Sequence, residues 1–151
     1  MKPLLGLLDK LEAQIVHHEK IKPTVSNAHI GWHIEHSCLV IIKIAATLNQ
    51  SNPVKYQWKW NTKRFFVFLI KKFPRGKAQA PASVMPTDAI SPAQLTQSIV
   101  LAKSSIESIQ ACAKRQYFIH PIFGELNRSA TLYFLAIHTQ HHLHIIQDIL
   151  E

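Results

Sequence analysis

Leu4, Leu8, Leu11 and Ile15 recur at steps of four, three and four, the spacing of one face of a helix. The pattern predicts a first helix over roughly Leu4–Glu19, closed off by Pro23. Ser26 or Asn27 can cap a second helix that runs to about Gln50, where Ser51-Asn52-Pro53 supplies a stop. The third has the clearest start: Ser91-Pro92-Ala93-Gln94 puts Ser at the cap, Pro at the first helical position and Gln three residues on, a capping box. Behind it, Leu95, Ile99, Ala102, Ile106, Ile109 and Ala113 alternate steps of four and three, the seam of a bundle helix. His120-Pro121-Ile122-Phe123-Gly124 predicts a loop, and Asn127 caps a fourth helix over about Arg128–Leu150.

Four helices with one apolar stripe each are most economically buried as an all-α four-helix bundle. The first two helices and the last two are joined by short connections, which makes each pair antiparallel. About forty residues separate Gln50 from Ser91, enough to run the roughly 30 Å of a 20-residue helix. The expected order is therefore up-down-down-up, with the second and third helices parallel. Within this crossover Lys63–Lys72 is expected to form a short extra helix, and Ala78–Pro92, with Pro81, Pro86 and Pro92, an extended loop.

The chain of 151 residues suits one domain over 1–151, and 47% apolar content with four glycines excludes both a disordered tail and a turn-rich β-sandwich. Two cysteines are too few for a disulfide framework, which sets a reducing cytoplasm as the expected location. The strongest apolar run, Phe65–Ile70, is far shorter than a membrane span. Leu4–Leu8 is cut short by Asp9, Lys10 and Glu12 before a signal-peptide core could form.

The net charge of +8 comes from one stretch. Between His36 and Thr87 there is no acid, against nine basic residues: Lys43, Lys55, Lys59, Lys63, Arg64, Lys71, Lys72, Arg75 and Lys77. Interleaved Trp58, Trp60, Phe65, Phe66 and Phe73 give three readings. The segment buries its aromatics on the bundle and leaves its lysines in water. Alternatively Lys63, Arg64, Lys71, Lys72 and Arg75 attract an anionic small substrate. In the third reading, residues 55–77 meet nucleic acid or anionic lipid, the histidines are structural and the protein is a non-catalytic binding module.

Ten histidines are the unusual number. His138 and His142 stand one turn apart, in line with Leu135, Thr131, Ile145 and Ile149, on the stripe that should face the core. His29, His33 and His36 repeat the pattern on the second helix. An imidazole pair at this spacing can share one metal ion, and a third from a facing helix gives three protein ligands with open positions. His36 lies roughly 13 Å into its helix and His142 roughly 12 Å from the end of its own, levels that coincide in an antiparallel pair. Chance would give roughly 0.7 histidine pairs at spacing four, and two occur, a weak excess. Placement adds more, because imidazoles on core faces are costly unless their nitrogens are satisfied, and only Glu35 and Asp148 stand nearby as carboxylates. A metal site and a hydrogen-bonded histidine cluster both remain open on these grounds.

The stretch VSNAHIGWHIEHS over 25–37 resembles the helix-two signature of the DinB-like (YfiT-like) metalloenzyme superfamily, and HTQHHLH over 138–144 its fourth-helix signature. WKWNTKRFFVFLIKKFPRGKAQAP, HPIFGELN and AIHTQHHL together resemble a branch of it with no assigned activity. The resemblance covers most of the chain from Val25 onward. It implies an up-down-down-up bundle with a divalent ion, nickel, zinc or iron, on His36, His138 and His142. His33 and His29 are second-tier candidates, and His141 falls off the ligand face into solvent or a supporting position. Relatives in the superfamily transfer low-molecular-weight thiols or isomerise small thiol-dependent substrates, and homodimers are common; no thiol-binding residues can be matched in this chain. Hydrolysis and thiol or group transfer are the implied reaction classes. Glu125 and His120, at the entry to the fourth helix, are candidate proton carriers, with a first-turn acid and a plain loop residue as their alternatives.

Overall fold

The computed structural model describes residues 2–73, 81–86 and 90–151. They form α1 (Lys2–Glu12), α2 (Ile30–Gln50), α3 (Thr62–Ile70), α4 (Pro92–Ala111) and α5 (Arg128–Leu150). A two-stranded antiparallel hairpin, β1 (Tyr117–His120) with β2 (Gly124–Asn127), stands between α4 and α5. The molecule is thus mostly helical rather than purely so: the expected loop at 120–124 is the turn of the hairpin, and the two short strands flanking it are the departure from an all-α chain. Phe118 and Leu126 turn inward while Ile119 is 66% exposed, an alternation too short to read from a four-residue strand. Gly124, at φ +70°, takes the left-handed backbone that closes the turn.

Local capping chemistry sets most helix starts. Ser91 Oγ accepts the Gln94 amide at 3.2 Å, Asn127 Oδ1 that of Ala130 at 3.0 Å, and Asn61 Oδ1 that of Arg64 at 2.8 Å. At α2 the cap is His29, whose Nδ1 accepts the Trp32 amide at 3.1 Å. Ser26, expected to cap, instead accepts the Ala28 amide and holds His33. The first helix ends at Glu12, short of Glu19, and passes into a 3-10 turn at Ile15–His17. Val16 is 76% exposed and the stripe positions beyond Ile15 are His18 and Glu19, so further turns would bury nothing.

Leu4, Leu8 and Leu11 of α1 join Ile34, Ile41 and Leu48 of α2, Leu95, Ile99, Ile106 and Ile109 of α4, and Leu135 and Ile146 of α5 in one core. Hydrogen bonds Gln94–Glu35 and Asn49–Ser108 tie corresponding ends of α2 and α4, which run parallel. His33 lies against His142 and His36 against His138, so α2 and α5 are antiparallel. Lys103 on α4 bridges to Asp9 and Glu12 of α1 at 2.8 and 2.9 Å. No helix is long and apolar enough to cross a membrane among the described residues. Arg75, Lys77 and residues 78–80 and 87–89 of the expected loop lie outside those residues; the described part of that loop ahead of α4 is extended apart from a 3-10 turn at Ala82–Val84.

Candidate metal centre

Antiparallel packing of α2 on α5 brings three imidazoles to one level. One side-chain nitrogen from each of His36, His138 and His142 lies within 4.8 Å of the other two. The ring centroids stand 5.2 Å apart for His36–His138, 4.8 Å for His36–His142 and 4.6 Å for His138–His142. Other rings frame the group: Trp32 stacks on His36 at 4.9 Å and 11°, Phe134 and Phe73 flank His138, and the His141 imidazole meets His142 edge-on.

Supporting hydrogen bonds fix the ring orientations. His36 Nδ1 is 2.8 Å from the Val84 carbonyl, to which it can only donate, so its Nε2 carries the free lone pair. His142 Nδ1 is 3.1 Å from His33 Nδ1, and His33 Nε2 is 3.0 Å from Ser26 Oγ. One assignment satisfies this chain and leaves His142 Nε2 unprotonated: His142 Nδ1–H donates to His33 Nδ1, and His33 Nε2–H donates to Ser26. His138 differs. Its Nδ1 is closed off from solvent and has no hydrogen-bond partner among the described residues.

Burial keeps these rings uncharged. It lowers the pKa of His33 to about 4 and that of His36 despite the Val84 bond, which pulls the other way. His138 and His142 are lowered further, by burial first and then by neighbouring imidazoles. At neutral pH the three are neutral lone-pair donors, the state metal binding requires.

The model of the DinB superfamily matches residues 3–146. The chain belongs to the DinB superfamily. Neither the curated proteins nor the solved structures include a match to it.

Other residues singled out in this DinB-superfamily sequence have different fates. His33 supports His142, and His141 borders the centre through its ring contacts to Phe73 and His142. His29 caps α2, so its Nδ1 serves the backbone rather than the centre. His120 Nδ1 accepts the Ile122 and Phe123 amides at the hairpin turn, and its ring stacks on Phe123 at 4.4 Å and meets Phe134 at 4.9 Å. Glu125 Oε2 accepts the Gln57 amide at 2.7 Å, fastening the crossover to β2 rather than facing the histidines. Arg64 is likewise no free anion contact: its guanidinium donates to the carbonyls of Lys59, Phe123 and Glu125. Lys63, Lys71 and Lys72 are exposed. Lys71 and Lys72, with Phe73, His141, His144 and Asp148, line a cleft of about 410 Å³ beside the centre.

Sequence reasoning missed Ser26 as a support and Val84 as the carbonyl that orients His36. A backbone carbonyl carries no residue-type signal, and Val84 comes from a segment 48 residues away.

Proposed function

We propose that this protein is a metal-dependent enzyme acting on a small molecule, with His36, His138 and His142 holding one divalent ion. The observation that carries the reading is the buried, partnerless Nδ1 of His138 within a convergent set of three neutral imidazoles. A histidine cluster built only for packing would leave that nitrogen desolvated at a cost of about 1–3 kcal/mol. The donor set fits a borderline ion: imidazole suits zinc, nickel and iron alike. The 4.8 Å spread is wider than the roughly 3.4 Å between nitrogens sharing a tetrahedral ion, so the imidazoles would draw together around it.

When bound, such an ion supplies Lewis acidity toward a water, thiolate or carbonyl, consistent with hydrolysis or thiol transfer. The chain's own contribution is positional. Val84 and the His33–Ser26 pair hold two rings in one tautomer, and Trp32, Phe73 and Phe134 exclude bulk water. The cleft beside the centre would admit the substrate, with Lys71 and Lys72 favouring an anionic one. The contact pattern supports a single up-down-down-up bundle over 1–151, with the α3 crossover between its second and third long helices. The two free cysteines suit a reducing cytoplasm.

Protein purified without a histidine tag should carry about one divalent ion per chain by elemental analysis, and His142→Ala should carry none while keeping its helical circular dichroism. Equal metal content in the two would remove the proposal. Replacing His33 with Ala should lower metal affinity roughly 10–100-fold without abolishing it, because His142 loses the acceptor that fixes its tautomer. Competition with a chromogenic chelator measures that difference.

A further inference from the structure

Helix α3 is amphipathic in the reverse of the usual sense. Its inward side is thin: Phe68 meets Tyr133 at 5.0 Å and Phe123 at 6.4 Å, Val67 packs on the core, and Arg64 bonds the hairpin carbonyls. Its outward side, together with the preceding extended segment, is the more hydrophobic. Trp58 is 63% exposed, Trp60 62%, Phe65 45%, Phe66 56%, Leu69 65% and Ile70 60%. The aromatic members form one patch, with ring centroids 6.5 Å apart for Trp58–Trp60, 5.2 Å for Trp60–Phe65 and 5.6 Å for Phe65–Phe66. Scattered exposed apolar residues need no explanation, but a contiguous patch on one helix does.

Lysines flank that patch. Lys55, Lys59, Lys63, Lys71 and Lys72 are exposed along the same segment; of the acids beside it, Glu125 is spent on the Gln57 amide and Asp148 stands in the cleft at the Lys71–Lys72 end, away from the aromatic patch. Charge complementarity therefore asks for an anionic partner. A second copy of the chain would set lysine against lysine. Single-stranded nucleic acid would use the rings, but it has no use for Leu69 and Ile70, and the fork-shaped Arg64 is already committed to carbonyls. Tryptophan and phenylalanine beside leucine and isoleucine, ringed by lysine, is the composition of a helix lying in a lipid interface.

We propose that the face of Trp58–Lys72 docks this protein onto an anionic phospholipid surface. Nine residues are too few for an independent helix in water, so a free peptide would have to order itself at the bilayer. Here Phe68, Tyr133 and Arg64 have already ordered it, and the apolar side chains meet the acyl boundary from a rigid base. Lys71 and Lys72 belong both to this face and to the cleft beside the histidines, which puts that cleft at the edge of the docked surface. The docking does not depend on the metal reading.

The test is flotation of the full chain with vesicles of phosphatidylcholine alone or containing phosphatidylglycerol. The bound fraction should be at least about tenfold higher with the anionic lipid, with a blue shift of tryptophan emission and weakening in salt. The double variant Phe66→Ser/Ile70→Ser should lose the binding. Lys59→Gln/Lys63→Gln should weaken it roughly 25-fold, at about fivefold per lysine. Both pairs are exposed, so helical circular dichroism and metal content should match the parent. No binding to either vesicle, equal binding to both, or full binding by the serine variant would overturn the proposal. So would a dimer that the serine variant converts to monomer, or tighter binding of a single-stranded oligonucleotide than of the anionic vesicles.

Discussion

His138→Leu is expected to abolish metal binding while making the metal-free protein more stable. The imidazole keeps a buried nitrogen without a partner, and its neighbours include the Phe134 and Phe73 rings. Leucine fills a similar volume and leaves nothing polar behind, so the metal-free variant should gain about 1–2 kcal/mol in urea unfolding. Affinity for the ion should fall by about a thousandfold or more, since one of three ligands is gone. With saturating metal the order should reverse. The parent gains about 2.7 kcal/mol at a hundredfold excess of ion over its dissociation constant, and the variant gains nothing. A loss of stability in metal-free His138→Leu would mean that the ring is a packing element, and the assignment of the centre would fail.

Metal-free protein should lose stability as pH falls from about 6.5 towards about 4. His33 and His120 are each lowered to about 4 by burial, while the unfolded chain protonates near the ordinary histidine value of 6.5. Between those limits the unfolded state binds protons that the fold refuses, so the stabilisation is complete above about 6.5 and drains away below it. At about pH 5 the loss should be about 2 kcal/mol from His33 and somewhat less from the half-buried His120, and His36, His138 and His142 are shifted in the same direction. His120→Asn isolates one share, because asparagine can still accept the turn amides of Ile122 and Phe123 but does not titrate. Its acid loss should be smaller by about 1–2 kcal/mol in urea titrations at about pH 7.5 and about pH 5. An unchanged acid profile would place the protonation elsewhere.

What could be read from the residues depended on how far away the deciding partner was. Ser91 and Asn127 cap their helices through amides three residues on, and both starts were legible. The convergence of His36, His138 and His142 was legible as well, because it follows from one-turn spacing and from levels that match in an antiparallel pair. Arg64 and Glu125 were misplaced for the opposite reason, while His29 was passed over as a cap although the amide it serves, that of Trp32, is only three residues on. Arg64 answers to the Glu125 carbonyl 61 residues on, and Glu125 to the Gln57 amide 68 residues back. Counting charges along the chain treats both as free, when the backbone has already claimed them. The hairpin escaped because its strands are four residues long and periodicity needs more turns to appear. The end of α1 was overrun because the apolar spacing stops at Ile15, and nothing polar after it forbids a helix outright.

The His33–His142 contact spans 109 positions of the chain, so the α2 half of the centre is synthesised well before the α5 half. A ribosome-bound chain holds the α2 histidines long before the second pair emerges, and closing so long a loop comes late in folding. An ion held as proposed would therefore bind only after α5 has emerged and packed on α2, and a fragment lacking α5 would keep its α2 histidines but never assemble the three-imidazole set.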